Sequence, residues 1–341
     1  MRAEFAPNLK DLLVTGQDQV RLHEEAAVLR DAHFGRRVFV RGVVEVSNFC
    51  RENCSYCGMR RDNRALSRYR ASADALIELL LNHRPGSMTD LNIQTGEDPI
   101  AVEEIVLPLL RALRANTSLG LSVCLGTLSP QHYQELRKAG ASIYIMKFEI
   151  PDADAYKEFK APGTLDERLE HIRWLAANDW KVSSGFIAGL PGQGPEATLR
   201  SLELASSLPL SGCSVSPFIP GDETPLATEN ASGAELTLNG MALMRRMRPD
   251  WVIPAVSALN LAEPGDGYRR GLRTGANLCT INLTPEAERG KYLLYKRDRF
   301  IMNEERIHGA VESEGLTIST TSLAQHFAHA DGDAGARGND A

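Results

Sequence analysis

From residue 38 onward, short β-rich runs alternate with longer amphipathic stretches, and this alternation constrains the fold more than any other feature. Strands are predicted over 38–46, 91–94, 121–125, 142–150, 181–190, 212–218, 251–259 and 277–283. Helices are predicted over 72–84, 99–115, 129–138, 165–178, 195–207, 233–247 and 264–273. Strands separated by helices, without hairpin signals, are typical of right-handed βαβ units. The pattern predicts an α/β chain that folds as a complete (βα)8 TIM-type barrel.

The segments outside the alternation predict a simple domain organisation. Residues 1–36 are predicted to form an N-terminal helical segment, 37–284 the barrel, and 285–328 a small C-terminal extension that acts as a lid or wrap. The tail 329–341 contains few bulky apolar residues and is predicted to be disordered. One barrel-sized domain fits a chain of 341 residues.

Charge and hydropathy exclude some classes of partner. The formal net charge is −6 and the pI is about 5.8, so neither nucleic acid nor an anionic membrane is an expected partner. No apolar run approaches the ~18 residues of a spanning helix. The N-terminus lacks the basic-then-apolar order of a signal peptide, and we expect a cytoplasmic protein.

Three of the six cysteines, Cys50, Cys54 and Cys57, lie within one short loop after the first predicted strand. Disulfides between such close neighbours would be strained and would leave an odd thiol, whereas clustered thiolates in a cytosolic protein usually bind metal. A cubane iron–sulfur cluster usually takes four thiolates, so three leave one iron open to another ligand. The alternative is a structural zinc site, which would need a fourth ligand nearby.

This spacing, with Tyr56 before the last cysteine and Gly58 after it, resembles the signature loop of radical S-adenosylmethionine (SAM) enzymes. The resemblance implies a 4Fe-4S cluster whose open iron chelates SAM. It also implies that an electron from a donor such as flavodoxin or ferredoxin splits SAM to methionine and a 5′-deoxyadenosyl radical. Tyr56 would then cover the cluster and contact the adenine.

Further motifs follow other predicted strands. The stretch containing Gly96 and Glu97 is similar to the family's glycine-glycine-glutamate motif, which meets the SAM ammonium group; a plain turn is the alternative. The resemblance also points Glu149 at the SAM amino group and Arg168 at the SAM carboxylate; the alternative for Arg168 is a surface position on its helix. A turn similar to the family's adenine-binding turn contains Gly189, Pro191 and Gly192.

Over roughly residues 40–300, the order of these motifs resembles the branch that holds biotin synthase, the HydE-type hydrogenase maturases and methylornithine synthase, and the HydE type most closely. Biotin synthase has a second cluster inside its barrel, but the matching positions here are Ser122, Ser183 and Ala255. No cysteine follows Cys279, so the auxiliary cluster of many HydE-type maturases is not expected either. A single cluster is predicted.

Polar residues on the predicted strands and the following loops indicate the substrate. Their inward placement depends on strand alternation. They suit a small, polar, amino-acid-like molecule with a carboxylate, because barrel-mouth lysine or arginine commonly binds an anion. Candidate substrate contacts are Arg41, Lys147, Ser184, Ser216, Ser257, Tyr268 and Arg269. The last two could instead belong to a solvated helix start.

Three hypotheses about function follow. The first is a radical SAM enzyme that abstracts hydrogen from a small substrate for rearrangement, fragmentation or coupling in cofactor or metabolite biosynthesis. The second is a HydE-like accessory maturase that builds a ligand of a metal cofactor. The third is a non-catalytic metal-binding module. Cys124, Cys213 and Cys279 are interpreted as small buried side chains, with entry of Cys213 or Cys279 into the barrel as a hydrogen-atom donor left open.

Overall fold

A computed structural model describes residues 5–297 and 301–329, and its centre is one curled sheet of parallel strands. Seven strands follow the spatial order β6-β5-β4-β3-β2-β1-β7. They are β1 (Arg37–Ser47), β2 (Asp90–Thr95), β3 (Gly120–Cys124), β4 (Ile143–Ile145), β5 (Lys181–Ala188), β6 (Gly212–Pro217) and β7 (Leu278–Asn282). A two-residue strand, β8 (Thr317–Ile318), pairs with the start of β1.

Helices connect these strands and cover the outer face of the sheet. Before β7 they are α1 (Leu9–Leu12), α2 (Gly16–Phe34), α3 (Ala73–Asn82), α4 (Pro99–Ala101), a π-helical turn (Val102–Val106), α5 (Leu107–Asn116), α6 (Pro130–Lys138), α7 (Ala153–Glu158), α8 (Leu165–Ala177), α9 (Pro195–Ser207), α10 (Ala234–Met247), α11 (Ser257–Ala262) and α12 (Gly267–Arg273). After β7 come α13 (Glu286–Arg289) and α14 (Glu304–Ser313).

The prediction of a complete eight-stranded barrel is wrong. The segment predicted as a strand over 251–259 forms only isolated bridges, Val252 with Gly212 of β6 and Pro254 with Leu278 of β7. Proline has no N–H to donate to a continuous ladder, and the chain turns into α11 from Ser257. The sheet therefore remains an open, curled sheet of seven parallel strands along its main path.

Strand alternation decides which side chains reach the inside of the curl. Along β1, Val40 and Val44 are fully buried in the hydrophobic core, whereas Arg41, Val43 and Glu45 line an internal cavity. This two-residue period is the expected geometry of a β-strand. One face of β1 therefore builds the core, and the other face, which carries Arg41 and Glu45, lines the cavity.

Both ends of the chain pack on this framework. Asn239 of α10 donates to the carbonyl oxygens of Leu12 (2.9 Å) and Val14 (3.0 Å), which fixes the N-terminal helices. Near the C-terminus, the amide of Leu323 donates to the carboxylate of Asp90 at the start of β2 (3.0 Å). The domain bounds stay predictions, and residues 330–341 of the predicted disordered tail lie outside the described residues. Within the described residues, no helix combines the length and apolarity needed to cross a bilayer.

Candidate active site

The three-cysteine loop follows β1 at the carboxyl end of the sheet. The thiol of Cys50 accepts a hydrogen bond from the amide of Glu97 (3.3 Å), and the amide of Cys57 donates to the carbonyl of Cys54 (3.3 Å). Burial raises the pKa of all three thiols, and that of Cys57 to about 12. A bound metal cation reverses this effect, so the donor set fits a thiolate-ligated metal group. Among the described residues, no three Cys, His, Asp or Glu side chains are grouped as a site for a single metal ion.

Gly96, at the end of β2, lies directly against this loop. Its amide donates to the carbonyl of Ser47 at 3.1 Å. A Cβ at this position would overlap the carbonyl oxygen of Phe49 and lie 2.8 Å from Cβ of Cys50. Only glycine fits this contact, so β2 and the cysteine loop approach each other backbone to backbone.

Glu97 is the buried centre of an ion cluster beside the loop. Its Oε1 lies 3.1 Å from Nη2 of Arg168, and its Oε2 lies 3.1 Å from Nη2 of Arg51. Arg168 also donates to Oγ1 of Thr127 (3.1 Å), and Arg51 donates to the carbonyl of Thr127 (2.8 Å). Gly126 makes room for the cluster, since a Cβ there would overlap the Glu97 side chain. The structure thus brings the predicted SAM-binding pair Glu97 and Arg168 together.

Asp98, the residue after Glu97, forms a second network of hydrogen bonds. Its carboxylate accepts hydrogen bonds from Arg70 (2.7 and 2.9 Å) and from Ser47 (2.6 Å). The guanidinium of Arg70 lies 4.2 Å from the centre of the Phe49 ring. This network holds the residue immediately before Cys50, and it therefore positions the start of the cysteine loop.

Glu149 and Lys147 follow β4 below the cysteine loop. Glu149 has a φ of +61° and is held by Gly185, whose carbonyl accepts its amide at 3.0 Å. Burial opposes the charge of Lys147, but nearby groups, Glu149 first among them, raise its pKa above the ordinary value. Burial raises the pKa of Tyr56, and the charges of Cys54 and Glu149 add to that rise. These residues therefore form one electrostatically coupled group.

The turn that carries Gly189, Pro191 and Gly192 lies at the carboxyl end of β5, on the same rim. Gly189 and Gly192 have φ values of +75° and +72°, which L-residues rarely adopt. The amide of Gln193 donates to the carbonyl of Leu190 at 2.8 Å and closes the turn.

A cavity of about 190 Å³ lies inside the curl of the sheet. Five of the predicted substrate contacts line it, namely Arg41, Lys147, Ser216, Ser257 and Tyr268. Ser184 does not line it but donates to the carbonyl of Met146 (2.8 Å), and Ser183 faces the cavity instead. Arg269 lies on the outside, where it pairs with Glu314 (3.2 Å). The prediction of Ser184 as a substrate contact is wrong by one residue, because neighbouring residues of a strand point to opposite faces of the sheet.

Sequence reasoning missed several residues of this site. Arg51 stands next to Cys50, a position that could have drawn attention to it, whereas Thr127 carries no motif. Cys124 was interpreted as a buried side chain, yet it lines the cavity. Tyr295 and Met302, from the predicted lid 285–328, also line it. Their contribution depends on how the C-terminal segment packs, which no local pattern indicates.

Comparisons with known proteins agree with this geometry. The family model for the radical SAM superfamily matches residues 44–205. The [FeFe] hydrogenase maturase subunit HydE of Thermotoga maritima is 32% identical over 275 residues, covering 80% of this chain and 78% of that protein. Biotin synthase of Streptomyces coelicolor is 27% identical over 249 residues, covering 70% of this chain and 60% of that protein.

The fold is also similar to a crystal structure of methylornithine synthase (PylB). That structure has a TM-score of 0.81 and 24% identity, and the match covers 93% of this chain and 94% of that one. The resemblance of the motifs to this branch is therefore confirmed by related proteins along most of the chain. The cysteine loop, the site around it and these relatives together show that this chain is an enzyme of the radical SAM superfamily, related to HydE, methylornithine synthase and biotin synthase.

Proposed function

We propose that this enzyme reductively cleaves SAM at a single 4Fe-4S cluster bound by Cys50, Cys54 and Cys57. The resulting 5′-deoxyadenosyl radical abstracts hydrogen from a small, polar, amino-acid-like substrate for rearrangement, fragmentation or coupling in cofactor or metabolite biosynthesis. The observation that carries this proposal is the position of the three thiols after β1, at the carboxyl end of a parallel sheet whose inner face bears a cavity lined by Arg41 and Lys147. Family membership favours the cluster over a structural zinc site.

The residues around the loop fit the polar groups of SAM. When bound, the cluster supplies an electron and an open iron for chelation. In this proposal the stretch with Gly96 and Glu97, together with Glu149, binds the amino group of SAM, and Arg168 binds its carboxylate. Tyr56 would cover the cluster. The glycines of the turn 189–192 would let the adenine approach the backbone, as a side chain there would not.

The cavity supports a small, charged substrate. Its volume of about 190 Å³ is well below that of a drug-sized pocket. Nε of Arg41 is buried and has no hydrogen-bond partner among the described residues. A carboxylate of the substrate would satisfy it, because a buried N–H donor without an acceptor is costly.

A HydE-like role in building a ligand of a metal cofactor is the second candidate. It is favoured by the 32% identity with the T. maritima maturase subunit across 80% of this chain. In either case we infer a cytoplasmic enzyme that takes electrons from a donor such as flavodoxin or ferredoxin. Turnover of a free amino acid would favour the first candidate, and a requirement for a partner metalloenzyme would favour the second.

Anaerobic reconstitution with iron and sulfide tests the proposal. The wild type, Cys54→Ala and the control Cys279→Ala are reduced with dithionite in the presence of SAM, and 5′-deoxyadenosine is measured by chromatography. We expect 5′-deoxyadenosine from the wild type and from Cys279→Ala, but not from Cys54→Ala. Retention of zinc and not iron, without 5′-deoxyadenosine, would show that the proposal is wrong.

A further inference from the structure

We propose that Cys124 is a hydrogen-atom donor that quenches a carbon radical inside the cavity. This inference rests on the proposed function, because it requires a radical in the cavity. It assigns a chemical role to the one cavity-lining cysteine among the described residues.

Cys124 lies at the carboxyl end of its strand, on the same side of the sheet as the residues proposed to bind SAM. It is the last residue of β3, pairs in register with Gln94 of β2, and lines the cavity together with Gln94. Three residues later, Thr127 contacts both Arg168 and Arg51 of the ion cluster. The Cys124 thiol therefore lies in the cavity wall, close enough to Glu149 and Arg168 for their charges to act on it.

The other two single cysteines differ from Cys124 in their surroundings. Cys213 and Cys279 are completely buried and belong to the hydrophobic core. Neither lines the cavity, so the possibility that one of them enters it is not supported. Cys124 is only half-buried and lies outside that core cluster.

A second observation indicates that the cavity holds a ligand. Nε of Arg41 is buried without a partner among the described residues, and Arg41 lines the same cavity as Cys124. Nη2 of the same guanidinium donates to Oγ1 of Thr280 (3.4 Å), and the remaining buried N–H at Nε is costly unless a bound molecule satisfies it. The thiol of Cys124 therefore faces the space of that molecule rather than a packed core.

The surroundings also keep the thiol protonated. Burial raises the pKa of Cys124, which outweighs the opposing charge of Lys147. A hydrogen-atom donor needs the S–H bond, so a protonated thiol is the useful form. The S–H bond is weaker than an aliphatic C–H bond, which makes transfer from sulfur to a carbon radical favourable.

The step balances as follows. The Cys124 S–H bond breaks, a C–H bond forms at the carbon radical, and the unpaired electron passes to sulfur. One electron from a low-potential iron–sulfur or flavin reductant and one proton from solvent then restore the thiol. The same reductant class supplies the electron that starts the reaction.

Deuterium labelling tests the assignment without knowledge of the substrate. The reconstituted enzyme is transferred to D2O, so that exchangeable thiols carry deuterium. It is then reduced with dithionite in the presence of SAM, with no substrate added. The deuterium content of 5′-deoxyadenosine is read by mass spectrometry for the wild type, Cys124→Ser and the control Cys279→Ala. We expect one deuterium with the wild type and with Cys279→Ala, and its loss with Cys124→Ser, because a hydroxyl O–H bond is too strong to donate.

Two tyrosines in the cavity wall, Tyr268 and Tyr295, also carry exchangeable hydrogen and serve as comparisons. Label that persists in Cys124→Ser and disappears in Tyr268→Phe or Tyr295→Phe would overturn the assignment, as would unlabelled product from the wild type. Absence of any 5′-deoxyadenosine would instead overturn the proposed function, and this inference with it.

A cofactor-independent measurement completes the test. In the cluster-free protein, iodoacetamide labelling followed by peptide mass spectrometry should modify Cys124 faster than Cys213 and Cys279. Equal protection of all three cysteines would show that the Cys124 thiol does not face an accessible cavity, and would overturn the assignment.

Discussion

Oε1 of Glu97 lies 3.1 Å from Nη2 of Arg168, although the two residues are 71 positions apart in the chain and both are buried. Burial opposes the charge of Arg168, but Glu97, the first of its neighbours in effect, raises its pKa above the ordinary value. The other carboxylate oxygen of Glu97 contacts Arg51, next to Cys50. One carboxylate therefore joins the loop after β2, helix α8 and the cysteine loop.

Replacing Glu97 should destabilise the protein more than replacing its exposed partner. Glu97→Gln leaves the buried charge of Arg168 without a counter-charge and should lower the free energy of unfolding by about 3 kcal/mol. Arg51→Gln removes a guanidinium that is 50% exposed and should cost less than about 1 kcal/mol. Urea unfolding of the cluster-free proteins measures both values. Equal losses would contradict the central role of the Glu97–Arg168 pair.

Asp98→Asn should weaken iron binding as well as stability. The change removes the charge that holds Arg70 over Phe49, and hydrogen bonds to a charged group contribute roughly 1.5–3 kcal/mol. We expect a loss of about 2 kcal/mol in unfolding free energy and a lower iron content after reconstitution. The control is Asp62→Asn, whose carboxylate pairs with Arg61 at the surface. Full iron content in Asp98→Asn would show that the network does not position Cys50.

The cysteine loop and most elements could be predicted because their signals are local. Helix α8 coincides with the predicted helix 165–178, since its apolar residues recur with helical spacing and Thr164 and Glu167 form a capping box. The loop residues Cys50, Cys54 and Cys57 form a contiguous motif. Such features depend on neighbouring residues only, and tertiary packing did not change them.

The remaining features depend on contacts between distant segments. Ser183 and Ser184 are chemically identical, so nothing local decides which one faces the cavity. The segment around Pro254 has a strand-like composition, but a ladder requires donors that proline lacks. The Glu97–Arg168 pair has no linear signature either, because its members meet only after β2 and α8 come together.

Gly126→Ala should lower the stability of the protein more than the same substitution at Gly265, a glycine with a similar left-handed conformation. Gly126 has a φ of +73°, and a Cβ there would overlap the Glu97 side chain. Gly265 has a φ of +85° but no atom within 4 Å of its hypothetical Cβ, so Gly265→Ala measures backbone strain alone, about 1–2 kcal/mol. We expect Gly126→Ala to lose about 2 kcal/mol more, because Glu97 must move. Thermal unfolding of both variants checks this, and similar losses would show that the Glu97 side chain yields freely.

Asp90 should make the protein less stable as the pH rises from about 4 to about 6. Burial raises the pKa of Asp90 to about 6. The hydrogen bonds that Asp90 accepts from Leu323 and Thr89 lower its pKa, but by less than burial raises it. The folded state therefore holds a proton that the unfolded state has released, and stability from this group is greatest below the unfolded pKa of 3.8. It is lost as the pH passes through the folded pKa.

Asp90→Asn removes this proton uptake. The free energy of unfolding of the variant, relative to the wild type, should therefore rise by about 2–3 kcal/mol between pH 4 and pH 7.5, because each pKa unit corresponds to about 1.4 kcal/mol. Denaturant unfolding at several pH values measures the difference between the two proteins, which cancels the contributions of all other groups. Asp266→Asn, at an exposed carboxylate 3.5 Å from Arg269, is the control and should show no such trend. A constant difference between Asp90→Asn and the wild type across this range would mean that folding does not raise the pKa of Asp90.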